Sequence, residues 1–265
     1  MSLLQSYLLH HFMIFTLVLA RVSGLVMTAP VYGSASVPMR IRALLAVAIS
    51  LILLPTTLGA SFPDPGNLMN YAIFLGGEIA VGLCLGLGIT ILFGGIQVAG
   101  KVMGQLSGMS LADVFDPAFN NTSPVFSQLL YYLALAVFML INGHRLVMAA
   151  LLDTFVAIPP GQGGVAANVF DALVTVLTQS FIVGLRAAAP AMTALLLATL
   201  IMGLLSRTLP QLNILSFGFG LNALLLQAAL LFSLGGVAWA FGDAVEPTLQ
   251  LLQDALIEDH RLLHG

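Results

Sequence analysis

Charge is scarce in this chain: Asp, Glu, Lys and Arg make up 7% of its 265 residues, against about 25% in ordinary globular domains. That scarcity excludes a domain that presents its own polar surface to water. With 59% hydrophobic residues and a mean hydropathy of +1.05, the chain belongs in lipid or inside an assembly that covers it. Basic residues are also too few for nucleic acid, since Lys and Arg total eight, form no cluster and leave a formal net charge of -3. The single cysteine, Cys84, excludes an intramolecular disulfide and a cysteine-based metal cluster. It reads as a small packed side chain. No Lys or Arg precedes Arg21, so no cleaved leader with a basic start is expected and the first helix is expected to be retained.

Catalytic patterns are missing as well. There is no Ser-His-Asp order, no Gly-rich phosphate loop leading into Lys-Ser/Thr, and no zinc-protease pattern. His10 and His11 would point ~100° apart on a helix and cannot share a metal. His260 and His264 have suitable spacing but no third ligand. Neither an enzyme, a cofactor nor a metal site is expected.

What the chain has is long apolar runs, enough for about six helical passes of roughly 20 residues. Turn signals divide them. The passes are expected at about residues 3–27, 43–54 (closed by Pro55), 68–98 and 125–141. A shorter helix is expected over 145–158, then a stretch over 166–205 broken at Pro190, and a last pass over 215–241. The fold class is all-α, a single domain over 1–265 built of apolar helical hairpins with kinks. The tail 246–264 places Leu249, Leu252, Leu256 and Leu263 at helical spacing, with Asp254, Glu258, Asp259 and Arg261 on the other face. That pattern suggests an amphipathic helix at an interface. Arg40 and Arg42 are a weak vote for a cytoplasmic link.

Residues 100–124, GKVMGQLSGMSLADVFDPAFNNTSP, are too polar and broken for a regular helix in lipid. Non-helical backbone at membrane depth is tolerated only where protein buries it or where it lines a cavity. The segment is either an external loop or a re-entrant one. Charges inside the runs are costly, about 2.5 to 3.5 kcal/mol each at a helix centre, and Arg21, Glu78 and Arg186 are the deepest. Arg207 lies nearer a segment end. Each either belongs to a polar path or an ion pair between subunits, or snorkels or pairs for packing alone. Gly82 and Gly86 form a small-xxx-small pair, suited to close helix approach within the chain or against other subunits.

Four ordered stretches resemble the FliR family of flagellar export-gate proteins and its counterpart in virulence injectisomes. They are Arg21-x-x-Gly24 with Ala29-Pro30-Val31-x-Gly33 and Val37-Pro38-x-Arg40-x-Arg42; Gln97-x-Ala99-Gly100 with Gly104, Gly108-Met109-Ser110 and Phe115-Asp116-Pro117; Phe138-x-x-x-Asn142-Gly143-His144 with Asp153-x-Phe155 and Pro159-x-Gly161; and Ala189-Pro190 with Gly203-Leu204-Leu205-x-Arg207-x-x-Pro210-Gln211-Leu212-Asn213. One position departs from the family, which usually carries Glu where this chain has Lys101.

The resemblance implies a non-enzymatic channel subunit of the type III secretion export gate, at the flagellar basal body in the bacterial inner membrane. Its implied partners are FliP-like, FliQ-like and FlhB-like subunits, with unfolded flagellar proteins passing through a central pore. It further implies that loop 100–124 helps to plug the closed channel. Gly104 and Gly108 would give that loop backbone freedom, and Met103, Leu106, Met109, Leu111 and Phe115 displaceable apolar bulk, with Asp116 and Pro117 closing it. Pro30, Pro38, Asn142-Gly143-His144, Pro190 and Pro210 read as structural turns. A secondary transporter of a small solute is the alternative; it would favour inverted repeats around a midplane site, and no convincing internal symmetry is visible.

Overall fold

The computed structural model describes residues 3–33, 37–57, 63–108, 125–208 and 214–264. The described residues are helical throughout their ordered elements, and no strand occurs among them. The helices are α1 (Leu3–Thr28), α2 (Met39–Thr57), α3 (Leu68–Leu106), α4 (Val125–Leu140), α5 (Gly143–Ala157), α6 (Ala167–Thr208) and α7 (Ile214–His264). Five are long and apolar enough to cross a membrane, or six if the broken pair α4 and α5 counts as one span. Burial separates their roles. In the spanning window of α3, 61% is buried, against 17% in α2, so α3 is largely enclosed by the chain and α2 leaves most of its apolar surface exposed.

The helices start and stop largely for local reasons. α1 ends at Thr28 just before Pro30, which cannot continue it. The Pro38 carbonyl accepts from Ile41 and Arg42 at 2.9 and 3.3 Å, which starts α2 four residues before the expected 43. Pro55, expected to end that pass, lies inside its last turn. Between α4 and α5, Asn142 takes the left-handed conformation at φ 57, rather than Gly143, and its carbonyl receives Arg145 and Leu146. Asn tolerates that region better than other non-glycine residues.

Three expectations need correction. Pro190 does not break α6, which runs unbroken for 42 residues; in apolar surroundings the backbone has no better partner than its own helix. Thr193 Oγ1, one turn on, bonds the Ala189 and Pro190 carbonyls at 3.0 and 2.9 Å. The tail is not a separate helix but the end of the 51-residue α7, with Pro247 inside it. Its Leu249, Leu252 and Leu256 are buried within the chain, and so is Asp259, assigned above to the polar face. Third, α3 continues through Gly100 to Leu106, so the first part of the expected loop is helical. Met109, Leu111, Phe115, Asp116, Pro117 and Pro210 lie outside the described residues.

The chain divides into two compact units. The first comprises Met1–Ile91, Asn142–Leu177 and Val245–Gly265. In it α1 crosses α3 at glycines: a Cβ on Gly24 would sit 2.6 Å from the Ile79 carbonyl, and one on Gly82 would overlap the Arg21 carbonyl. Gly86 likewise faces Thr28, and Gly88 faces Leu252. The Gly82–Gly86 pair therefore serves packing inside this chain. The second unit comprises Leu92–Ile141 and Thr178–Ala244. Its core is aromatic, with Phe93 4.9 Å from Phe241, 5.5 Å from Tyr131 and 5.6 Å from Phe138 between ring centroids, tilted or edge-on as aromatic pairs prefer. There α3 and α6 touch backbone to backbone at Gly95 and Gly184.

Candidate functional site: a buried charged hub and the end of α3

The two deepest charges of the first unit find each other. Arg21 on α1 and Glu78 on α3 are both fully buried, and Arg21 Nε donates to Glu78 Oε2 at 2.6 Å. All three guanidinium nitrogens are engaged, through three of the five N–H donors of the planar fork. Nη1 donates to Thr154 Oγ1 at 3.2 Å and Nη2 to the Ile158 carbonyl at 3.0 Å. Its flat face lies 4.2 Å from the Phe155 ring centroid, a cation–π contact strengthened by the full burial of the guanidinium.

The other carboxylate oxygen holds a loop. Glu78 Oε1 accepts from the Gly161 amide at 2.8 Å and the Gly163 amide at 3.2 Å. Gly161 has φ +88, a conformation L side chains rarely adopt, and a Cβ on Gly77 would overlap the Gly163 carbonyl. One ion pair thus ties α1, α3, α5 and the loop 159–163 together. Of the alternatives open for Arg21 and Glu78, these contacts match pairing within the chain.

Arg186 and Arg207, expected among the buried charges, are exposed on α6. Asp259, by contrast, takes on a role that its sequence position hides. Its carboxylate accepts from the amides of Ala166, Asn168 and Val169 at 2.8, 3.3 and 3.2 Å, which caps α6 from 90 residues away in the chain. The amides at a helix N-terminus are free to be bonded, and the dipole there favours negative charge. Tyr32, in the link after α1, donates to the His144 carbonyl at 3.3 Å. Burial pushes its phenol above the ordinary value. Thr154, Phe155, Gly163 and Asp259 were missed as contributors, although Asp153-x-Phe155 and Pro159-x-Gly161 were noted as motifs.

The second unit contains the end of α3. Met103 is fully buried and Gly104 is buried beside it. The helix closes with Ser107 N donating to the Met103 carbonyl at 3.0 Å, Ser107 Oγ to the Gly104 carbonyl at 2.8 Å, and Gly108 N to the Gln105 carbonyl at 3.1 Å. Gly108 then turns away at φ +80, the left-handed exit that glycine permits. Among the described residues no three His, Cys, Asp or Glu side chains gather closely enough to hold a metal ion.

A membrane-type scaffold, helical in its described elements, with an internal charged hub and a glycine exit from α3, is the class these features define. The sequence model of "Bacterial export proteins, family 1" matches residues 12–248. The flagellar biosynthetic protein FliR of Escherichia coli (strain K12) is 35% identical over 205 residues, 77% of each chain. FliR of Caulobacter vibrioides is 28% identical over 235 residues, covering 89% of this chain and 94% of that one. FliR of Bacillus subtilis is 29% identical over 221 residues, 78% and 81% of the two chains. The chain belongs to the FliR family of flagellar export proteins. It is a membrane-embedded component of the flagellar export apparatus.

Proposed function

We propose that the chain is a non-enzymatic channel subunit of the flagellar export gate, in the bacterial inner membrane at the basal body. It assembles with FliP-like and FliQ-like subunits, and with an FlhB-like one, around a path for unfolded flagellar proteins. The segment from Met103 to Pro117 helps to stopper that path when closed. The observation that carries the reading is the end of α3: a hydrogen-bonded helix stub rooted by buried Met103, Gly104 and Ser107, from which Gly108 leaves in a left-handed turn. A stopper needs a fixed root and a pliable exit, and glycine at positive φ supplies the second. The apolar side chains that follow, Met109, Leu111 and Phe115, suit a seal that must release chains of any sequence.

A photocrosslinking residue at Gly108 tests this in assembled apparatus. An export substrate arrested in passage by a folded tail should crosslink to position 108, and the same residue at exposed Leu68 should not. Crosslinks from 108 to lipid alone would refute the stopper.

A further inference from the structure

Polar side chains of the second unit gather where α3 meets α4. The spanning window of α3 has a mean hydropathy of 2.3, yet its last turns carry Gln97, Lys101 and Gln105, all exposed. Their four-residue spacing puts them on one helical face. α4 begins against this stretch: a Cβ on Gly100 would sit 2.6 Å from the Phe126 carbonyl, and Ser127 Oγ donates to the Gln97 carbonyl at 2.6 Å. Here lies a cavity of about 210 Å³ lined by Gln97, Ser127, Gln128, Tyr131 and Tyr132. It has room for several waters, each taking roughly 30 Å³ of liquid volume, and polar partners to hold them. A groove between α3 and α6 in the same unit is quite different, about 250 Å³ and lined by apolar side chains such as Val98, Phe181 and Leu185.

Lipid tails suit the second groove but cannot satisfy the first. Ionisable side chains within spanning helices face a protein interior or a water-filled cavity, and an amide left without a hydrogen-bond partner in hydrocarbon is costly too. Snorkelling does not explain them either, because the Gln97 and Gln105 side chains are short and flank Lys101 on both sides.

We propose that the face carrying Gln97, Lys101, Gln105, Gln128 and Tyr132 borders water and offers hydrogen bonds to the backbone of an extended, unfolded polypeptide in passage. This rests on the export reading above. The chemistry fits a ligand of varied sequence. Glutamine amides and the tyrosine phenol each donate and accept, so they can serve main-chain N–H and C=O groups whatever the side chains. Lys101 adds one positive charge, which favours acidic stretches of the passing chain.

The test places single cysteines at 97, 101, 105 and 128 in a Cys84→Ala background. A charged, membrane-impermeant methanethiosulfonate is applied to open membranes holding the assembled apparatus. Val98→Cys and Leu129→Cys, exposed neighbours on other faces, are the references. The polar face should label at least tenfold faster than the references, and an arrested export substrate should slow it. Equal labelling would overturn the proposal, as would labelling that vanishes on assembly without substrate, since the face would then be a subunit interface. Secretion of filament protein is scored in the same cells, lacking any other FliR-type chain. Fast labelling without secretion would sink the export reading and leave the hydrated face standing. As a second variant, Lys101→Leu with Gln105→Leu should still assemble but secrete about tenfold less; unchanged secretion would overturn the polypeptide contact.

Discussion

Removing the Glu78 carboxylate should strongly destabilise the first unit. Glu78→Ala leaves the Arg21 guanidinium fully buried without its counter-ion, a loss of about 3–5 kcal/mol for a broken buried pair. It also strips the Gly161 and Gly163 amides of their acceptor, at about 1–3 kcal/mol for each buried group left unbonded. These costs overlap, so about 4 kcal/mol is a fair lower figure. For a chain of this size that corresponds to a melting shift of roughly 8–16 °C. Glu78→Gln separates the two contributions. Its amide oxygen can still receive Gly161 and Gly163, but Arg21 stays uncompensated, so most of the loss should remain. Arg21→Ala with Glu78→Ala should cost clearly less than the sum of the single changes, because neither charge is then stranded. The assay is thermal unfolding of the detergent-purified complex, followed by size-exclusion chromatography of heated samples. A Glu78→Ala melting point within about 2 °C of the unsubstituted complex would refute the hub. A Glu78→Gln variant as stable as the parent would show that loop anchoring, not charge pairing, dominates.

Other substitutions follow from the same geometry. Asp259→Ala should cost about 1–2 kcal/mol through loss of the cap on α6, read as a lower melting point with faster proteolysis near residue 166; Asp259→Asn should lose less. Gly82→Val forces α1 away from α3, since even a Cβ overlaps the Arg21 carbonyl. It should abolish accumulation of folded chain, whereas Gly94→Ala, with open space around it, should accumulate normally. Deleting residues 104–115 should leave an assembly that forms but leaks ions. Unchanged membrane conductance in cells carrying that deletion would argue against the stopper.

Helix placement was largely legible in the sequence, because hydropathy follows directly from what each side chain does in lipid. The expected 125–141 and the observed Val125–Leu140 differ by a residue. Two prolines misled, since Pro55 and Pro190 both lie inside helices. A rule learned in water overstates their effect where the backbone has no solvent to turn to. Partnership was not legible: Arg21 and Glu78 are 57 residues apart in the chain, and no local pattern links them. Asp259 looked like one more charge on a polar face because a cap supplied from another helix leaves no mark on either sequence segment. The turn at Asn142-Gly143-His144 was legible, but not that Asn142 takes its left-handed conformation.

Native mass spectrometry of the particle that co-purifies with this chain in mild detergent is the most direct check on its place in an export gate. One copy should be found with several copies of small, apolar FliP-like and FliQ-like chains, and the particle should resist dissociation. A homogeneous lone monomer that moves a small solute after reconstitution would contradict the account.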